Sequence, residues 1–163
     1  MESVADFRIR LAQREDVSTI LSLIRELAEY ERAPDEVIAT EEQLRENLFG
    51  PHPAAEVLIG EEAGKPVGFA LFFHNFSTWM GRRGLYLEDL FVRPSARGKG
   101  YGRSLLVRLA ELAQERDCGR MEWAVLDWNK PAIQFYLKLG ARPNEEWTTY
   151  RLTRDRIARL AQG

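Results

Sequence analysis

One stretch, residues 88–106, limits the folds open to this chain more than any other. Its first half contains the apolar, β-favouring residues of a strand: Leu90, Phe91 and Val92. The next residues end that strand, and three glycines follow before a helical pattern begins: Gly98, Gly100 and Gly102. The stretch therefore predicts a strand, a tight glycine-rich loop and the N-terminus of a helix.

The predicted loop suits a phosphate ligand. A helix N-terminus carries unpaired N–H groups and a partial positive charge, both of which attract anions. Glycines keep side chains away from those groups, and three basic residues surround the same loop: Arg97, Lys99 and Arg103. A glycine-rich turn that binds nothing is the alternative interpretation.

Two common phosphate-binding patterns do not fit this loop. A nucleotide-hydrolase loop needs lysine and then serine or threonine after its last glycine, whereas Gly102 is followed by arginine. A dinucleotide fingerprint that starts at Gly98 and Gly100 needs a third glycine where the chain has Arg103. The pattern that remains is Arg-x-x-Gly-x-Gly, which begins at Arg97.

A second patterned segment, residues 128–136, has the sequence Trp-Asn-Lys-Pro-Ala-Ile-Gln-Phe-Tyr. Asn129 stands directly before a predicted helix whose first turn contains Pro131, which is typical of a helix cap. Tyr136 lies at a spacing that also suits a core aromatic residue. Both residues thus have a structural interpretation beside any functional one.

Together, the two segments resemble the cofactor motifs of the GNAT family of N-acetyltransferases. In that family the glycine loop binds the pyrophosphate of acetyl-CoA, the preceding strand pairs with the pantetheine amides, and the tyrosine sits beside the thioester sulfur. The resemblance implies acetyl-CoA as cosubstrate and a site formed by thirteen residues: Leu90, Phe91, Val92, Arg97, Gly98, Lys99, Gly100, Tyr101, Gly102, Arg103, Asn129, Pro131 and Ala132.

Two residues are candidates for catalysis. A phenol has a pKa of about 10 and stays protonated at neutral pH, so Tyr136 is a candidate to protonate a departing thiolate. Glu88, on the predicted strand, can accept a proton from an ammonium group, whose pKa is near 10.4. Strand alternation places Asp89 on the opposite face unless a bulge intervenes, so Glu88 is preferred. A solvated strand-edge acid is the alternative for Glu88.

Charge is distributed unevenly along the chain. Residues 26–46 contain eight acidic and two basic residues, and residues 93–108 contain five basic residues and no acidic one. The basic region suits the phosphates of coenzyme A, and the acidic region would attract a cationic substrate. A solvated helix face is the alternative explanation of the acidic region.

Within the GNAT family, the resemblance is greatest to diamine (spermidine/spermine) and thialysine acetyltransferases. Shared segments include Glu-Leu-Ala-Glu-Tyr-Glu at 26–31 and Tyr-Leu-Glu-Asp-Leu-Phe-Val at 86–92. The resemblance implies an amine site lined by Tyr30, Glu31, Glu88, Glu122, Trp123 and Ala124. A further acid near Glu145 or Glu146 contributes in the family, although residues 141–147 form a shorter segment here. These relatives are homodimers, so the resemblance also implies a homodimer.

Composition excludes several other classes of protein. The chain has 163 residues, 45% hydrophobic and 29% charged, which predicts a single domain over residues 1–163. A net charge of −2 gives no support for a nucleic-acid partner. The single Cys118 suits a reducing cytoplasm, and the start of the chain lacks the pattern of a signal peptide. We therefore expect a cytoplasmic protein with no membrane partner and no metal.

The order of predicted elements indicates an α/β (α+β) fold. Strands are expected at 7–11, 56–61, 66–75, 85–92, 121–126 and 147–152, and helices at 14–31, 40–49, 102–116, 130–139 and after Thr153. Strands 85–92 and 121–126 flank a helix and should be parallel, whereas short turns make the earlier strands antiparallel. The sum is a mixed sheet with helices on both faces. In the GNAT architecture, which this pattern resembles, a bulge splays the central strand from its parallel neighbour.

The expected activity is direct transfer of acetyl from acetyl-CoA to a primary amine of a small cationic acceptor, either a polyamine or a thialysine-like amine. One alternative is a GNAT enzyme with another acceptor, such as an amino acid, a protein amine or an aminoglycoside. A second alternative is an acyl-CoA-binding module without catalysis.

Overall fold

The structure is a computed structural model that describes residues 6–163. Contacts divide the chain into two compact units, one that ends at Ala124 and one that spans Val125–Gly163. The single domain expected from length stays a prediction. No helix within residues 6–163 is both long and apolar enough to cross a membrane.

The first unit is a five-stranded mixed sheet with three α-helices. The strand order follows the sequence: β1 (Phe7–Leu11), β2 (Glu56–Glu62), β3 (Lys65–Ser77), β4 (Arg82–Val92) and β5 (Met121–Trp123). β1 to β4 are antiparallel neighbours, and β5 is parallel to β4. The helices are α1 (Val17–Tyr30), α2 (Glu41–Phe49) and α3 (Tyr101–Glu115). This arrangement confirms the α/β fold with a mixed sheet.

Strand alternation explains why helices cover both faces of this sheet. Ile59 and Phe69 are fully buried in one cluster with Ile20 and Leu23 of α1. Their strand neighbours point to the opposite face and are also buried there, at 2% or less exposure: Leu58 and Ala70. α3 contacts β2, β3 and β4 and buries the apolar residues Leu105, Leu106, Leu109 and Leu112.

Two of the three helix caps predicted from the sequence, at Thr40 and Asn129, are present in the structure. The Thr40 hydroxyl accepts from the Gln43 N–H at 3.2 Å, and the Gln43 side chain accepts from the Thr40 N–H at 3.0 Å. In the second unit, α4 (Lys130–Lys138) begins after Asn129, whose side-chain oxygen accepts from the Ala132 N–H at 3.4 Å. Before α5 (Arg154–Ala161), the Thr153 hydroxyl instead donates to the Asp155 carboxylate, so no side chain caps that helix.

Two strand predictions are wrong, in whole or in part. Residues 147–152 form no strand, and Trp147 and Tyr150 are 68% and 93% exposed. A strand is stable only beside another strand that accepts and donates its backbone hydrogen bonds. The described residues of the second unit form only helices and loops. The predicted strand 121–126 ends at Trp123, because its ladder with β4 ends there.

Candidate active site

A β-bulge in β4 determines the shape of the candidate site. Leu71 of β3 pairs with Asp89, whereas the next residue, Phe72, pairs with Leu87, so Glu88 is the extra residue. A bulge bends its strand and increases the local twist. The parallel ladder to β5 also stops here, with Leu87 opposite Trp123 as its last pair. Beyond that pair, the second half of β4 has no parallel ladder to β5, which agrees with the splayed strand pair that the family resemblance implies.

The glycine loop after β4 leaves the N-terminus of α3 open. Gly100 precedes the helix with φ of 82°, a left-handed conformation that most residues avoid, and Gly98 has φ of 79°. A Cβ placed on either glycine would meet no atom within 4 Å. Among the described residues no side chain caps α3. The loop is thus an open cradle of N–H groups at a 15-residue helix, which fits a phosphate ligand.

Lys99 forms an ion pair within the protein. Its Nζ lies 2.9 Å from a carboxylate oxygen of Glu62, at the end of β2. The Tyr101 hydroxyl donates to the same carboxylate, and this hydrogen bond raises the pKa of Tyr101 to about 12. The Tyr101 ring stacks on Phe7 at 3.9 Å between centroids. Through these contacts, Glu62 connects the glycine loop to β2. Arg103, the next basic residue of the loop, is exposed.

Arg97 connects the glycine loop to the end of α1. Its Nε donates to the backbone oxygen of Val92 at 2.8 Å. Its guanidinium carbon lies 4.7 Å from the ring centroid of Tyr30 and 5.5 Å from that of Phe91. One side chain thus contacts the last residue of β4 and the predicted amine-site residue Tyr30.

Acids from β4 and α1 meet on one face of the sheet. Asp89 pairs with Leu71, which packs against the apolar cluster under α1, so Asp89 lies on the α1 face. Partial burial, and then the charges of Glu88 and Glu31, raise the pKa of Asp89 to about 6. Burial also raises the pKa of Glu31, which follows the last residue of α1. Glu88 itself is exposed.

The predicted residues of β5 lie beside β4 near Tyr86. Tyr86 pairs with Glu122, and burial together with the charges of Glu88 and Glu122 raises the pKa of the phenol. Glu122 is also within 2.8 Å of the Arg120 guanidinium, so its charge is partly compensated. Trp123 is half-buried, and Ala124 is exposed at the end of the first unit.

Four predicted site residues belong to the second unit. Asn129 caps α4, Pro131 and Ala132 lie in its first turn, and Tyr136 lies in its second. The Tyr136 ring is half-buried and 5.7 Å from that of Phe135. Their roles in binding and catalysis stay predictions.

Sequence reasoning passed over two residues of this site, Asp89 and Glu62. Regular strand alternation predicted that Asp89 lies on the face opposite to Glu88, away from the substrate. Because of the bulge, Asp89 instead lies on the α1 face, near Glu31. One signal was present, because the apolar spacing of β4 slips by one position between Leu87 and Leu90. Glu62 has no sequence signal, since it lies 37 residues before Lys99. Within residues 6–163, no group of three metal-binding side chains occurs, and the absence of a metal stays a prediction.

Comparison with known proteins identifies the family to which this arrangement belongs. The model of the acetyltransferase (GNAT) family matches residues 19–141. Over 169 residues the chain is 40% identical to thialysine N-epsilon-acetyltransferase of Sus scrofa, covering 97% of this chain and 99% of the relative. It is 34% identical to spermidine/spermine N(1)-acetyltransferase-like protein 1 of Homo sapiens, covering 95% of this chain and 24% of that longer protein.

A solved structure agrees with these sequence matches. An integron cassette protein from the mobile metagenome of V. cholerae superposes with a TM-score of 0.82 at 29% identity, covering 96% of this chain and 98% of that one. The GNAT fold expected from the two sequence motifs is thereby confirmed.

Proposed function

The chain belongs to the acetyltransferase (GNAT) family and is an N-acetyltransferase, and on that premise we propose that it transfers acetyl from acetyl-CoA to a primary amine of a small cationic acceptor. The acceptor would be a polyamine or a thialysine-like amine. One observation carries the proposal: the bulge in β4 gathers Glu88 and Asp89 with Glu31 of the neighbouring helix end. The printed names of two similar relatives, for thialysine and for spermidine/spermine, support the same class of acceptor.

The glycine loop and the second half of β4 would hold acetyl-CoA. The open cradle at Gly98 and Gly100 would hold the diphosphate through backbone N–H groups. Arg103 would add positive charge, and Leu90 and Val92 would offer backbone groups where β4 leaves its parallel neighbour. The family resemblance adds Asn129, Pro131 and Ala132 as proposed cofactor-binding residues.

The acidic residues would bind the amine as an ammonium ion. Burial raises the pKa of both Asp89 and Glu31, and the charges of Glu88 and Glu31 raise the pKa of Asp89 further. An ammonium ion placed among them relieves that repulsion, so it gains more here than at a single exposed carboxylate. An uncharged acceptor would gain nothing from the same groups.

Two of the chain's own groups would move protons. Acetyl-CoA supplies the acetyl group as a thioester; the amine nitrogen bonds to the acetyl carbon while the carbon–sulfur bond breaks. Glu88 or Asp89 would accept the proton that the ammonium loses. With a pKa of about 6, Asp89 is ionised at neutral pH and is a stronger base than an ordinary aspartate. The Tyr136 phenol would give a proton to the departing sulfur, and the second proton that the nitrogen loses as the amide forms would restore the phenol.

A coenzyme A release assay tests the proposal. The purified protein is given acetyl-CoA with spermidine, putrescine, thialysine, lysine or a lysine peptide. Release with the first three, and much less with the peptide, is expected. Preference for the peptide would favour a protein acceptor, and no release with any amine would favour a binding module. Comparing Glu88→Gln with Asp89→Asn then identifies the base, because the variant that lacks it should lose more kcat.

The assembly and location of the protein complete the proposal. We propose a homodimer in the cytoplasm, on the strength of the family resemblance and the single Cys118. Sedimentation equilibrium of the purified chain would test the dimer, and a monomer across the micromolar range would refute it.

A further inference from the structure

Two of the three basic residues of the glycine loop are already engaged by the protein itself. Lys99 is paired with Glu62, which cancels much of its charge. Arg97 has no carboxylate within salt-bridge distance among the described contacts; its partners are the Val92 carbonyl and the rings of Tyr30 and Phe91. A neutral ring and a carbonyl leave the full positive charge of Arg97 in place.

That charge lies at the boundary between the two proposed binding sites. Tyr30 is the last residue of α1, directly before Glu31, whose carboxylate faces the charge of Asp89. On the other side, Arg97 opens the glycine loop that suits the diphosphate. A cation at the edge of an amine site repels an ammonium ion, and it also covers a face of the Tyr30 ring that could otherwise attract the ammonium.

We infer that Arg97 makes amine binding dependent on the cofactor. Without a diphosphate in the loop, its charge weakens binding of the amine. A bound diphosphate neutralises that charge and so strengthens amine binding. By linkage, the amine strengthens cofactor binding by the same factor. The inference rests on the proposed function, since it assumes that both ligands bind where we propose.

Calorimetry with two ligands that cannot react tests the inference. The dissociation constant of spermidine is measured without cofactor and with saturating coenzyme A, which has no acetyl group to transfer. In the unaltered protein, coenzyme A should tighten spermidine binding roughly threefold to tenfold, as for the coupling of two nearby charges. High salt should shrink this enhancement, because salt screens exposed charges.

The direction in which spermidine affinity changes in Arg97 variants distinguishes the inference from a structural role. In Arg97→Gln, spermidine should bind more tightly than in the unaltered protein when coenzyme A is absent, and the enhancement by coenzyme A should fall towards one. A purely structural role for Arg97 predicts the opposite, namely weaker spermidine binding. Arg97→Lys keeps the charge and should keep most of the enhancement.

The matched control removes another basic side chain of the same loop, that of Lys99. Lys99→Gln makes the same change in charge, but Lys99 contacts Glu62 and Tyr101 rather than Tyr30, so spermidine affinity without coenzyme A should change much less than in Arg97→Gln. If the unaltered protein fails to bind coenzyme A, the proposed function fails and this inference fails with it. If both ligands bind but Arg97→Gln shows the same enhancement as the unaltered protein, the inference alone is overturned.

Discussion

Replacing Asp89 with asparagine removes a carboxylate whose pKa the fold raises from 3.8 to about 6. The folded protein therefore holds this proton more tightly than the unfolded chain does, and ionisation destabilises the fold. The stability gained from protonation is complete below about pH 4 and is lost as the pH rises through about 6. The full shift corresponds to about 3 kcal/mol at about pH 8, of which roughly 1.6 kcal/mol is already present at about pH 5.

The Asn variant should therefore gain stability that depends on pH. Relative to the unaltered protein, its free energy of unfolding should increase by about 1.4 kcal/mol more at about pH 8 than at about pH 5. Urea unfolding at the two pH values, followed by tryptophan fluorescence, measures this difference. The control is Glu29→Gln, which makes the same change from carboxylate to amide at an exposed position, and its effect should depend less on pH than that of Asp89→Asn. An equal effect of Asp89→Asn at both pH values would refute the partly buried carboxylate, crowded by Glu88 and Glu31, on which the proposed site depends.

The remaining predictions concern the phenol, the helix-end acid and the loop. Tyr136→Phe should lower kcat by at least about tenfold with acetyl-CoA affinity nearly unchanged, and unchanged kcat would exclude the phenol as proton donor. Glu31→Gln should raise KM for spermidine more than for a monoamine, and equal increases would count against recognition of a dication. Gly100→Ala should weaken acetyl-CoA binding and cost about 1 kcal/mol of stability, whereas Gly64→Ala, at φ of 79° in the β2–β3 turn, should cost the same stability without affecting binding.

Most of the first unit was predictable because its signals are local. The alternation of Phe7–Leu11, the capping box at Thr40 and the glycines around α3 each determine their own segment. Parallel pairing of β4 and β5 followed from a connection rule rather than from any single residue. Residues 147–152 show the limit of such reasoning: their β-favouring side chains describe a strand, but a strand also needs a neighbour.

The site was predictable only as far as strand periodicity allowed. Glu88 and Glu31 were identified from sequence, and the structure gives both of them a part in the electrostatics of Asp89. Asp89 itself was set aside, because one inserted residue reverses the face on which every later side chain lies. Glu62 could not be found, since its contacts to Lys99 and Tyr101 depend on how two distant segments meet in space.

The bulge in β4 accounts for both parts of the proposed site, the cofactor-binding edge and the acidic amine site. By ending the β4–β5 ladder at Leu87, it would free the edge of β4 for a cofactor. By shifting the register, it moves Asp89 from the α3 face to the α1 face, where Glu31 lies. Without the bulge, continuous pairing would close the cofactor edge, and Asp89 would point into the apolar packing under α3. The same extra residue, Glu88, therefore causes both the crowding of carboxylates on the α1 face, which costs free energy, and the proposed opening of the cofactor edge. A change that restored regular β3–β4 pairing should relieve the crowding and close the cofactor edge together.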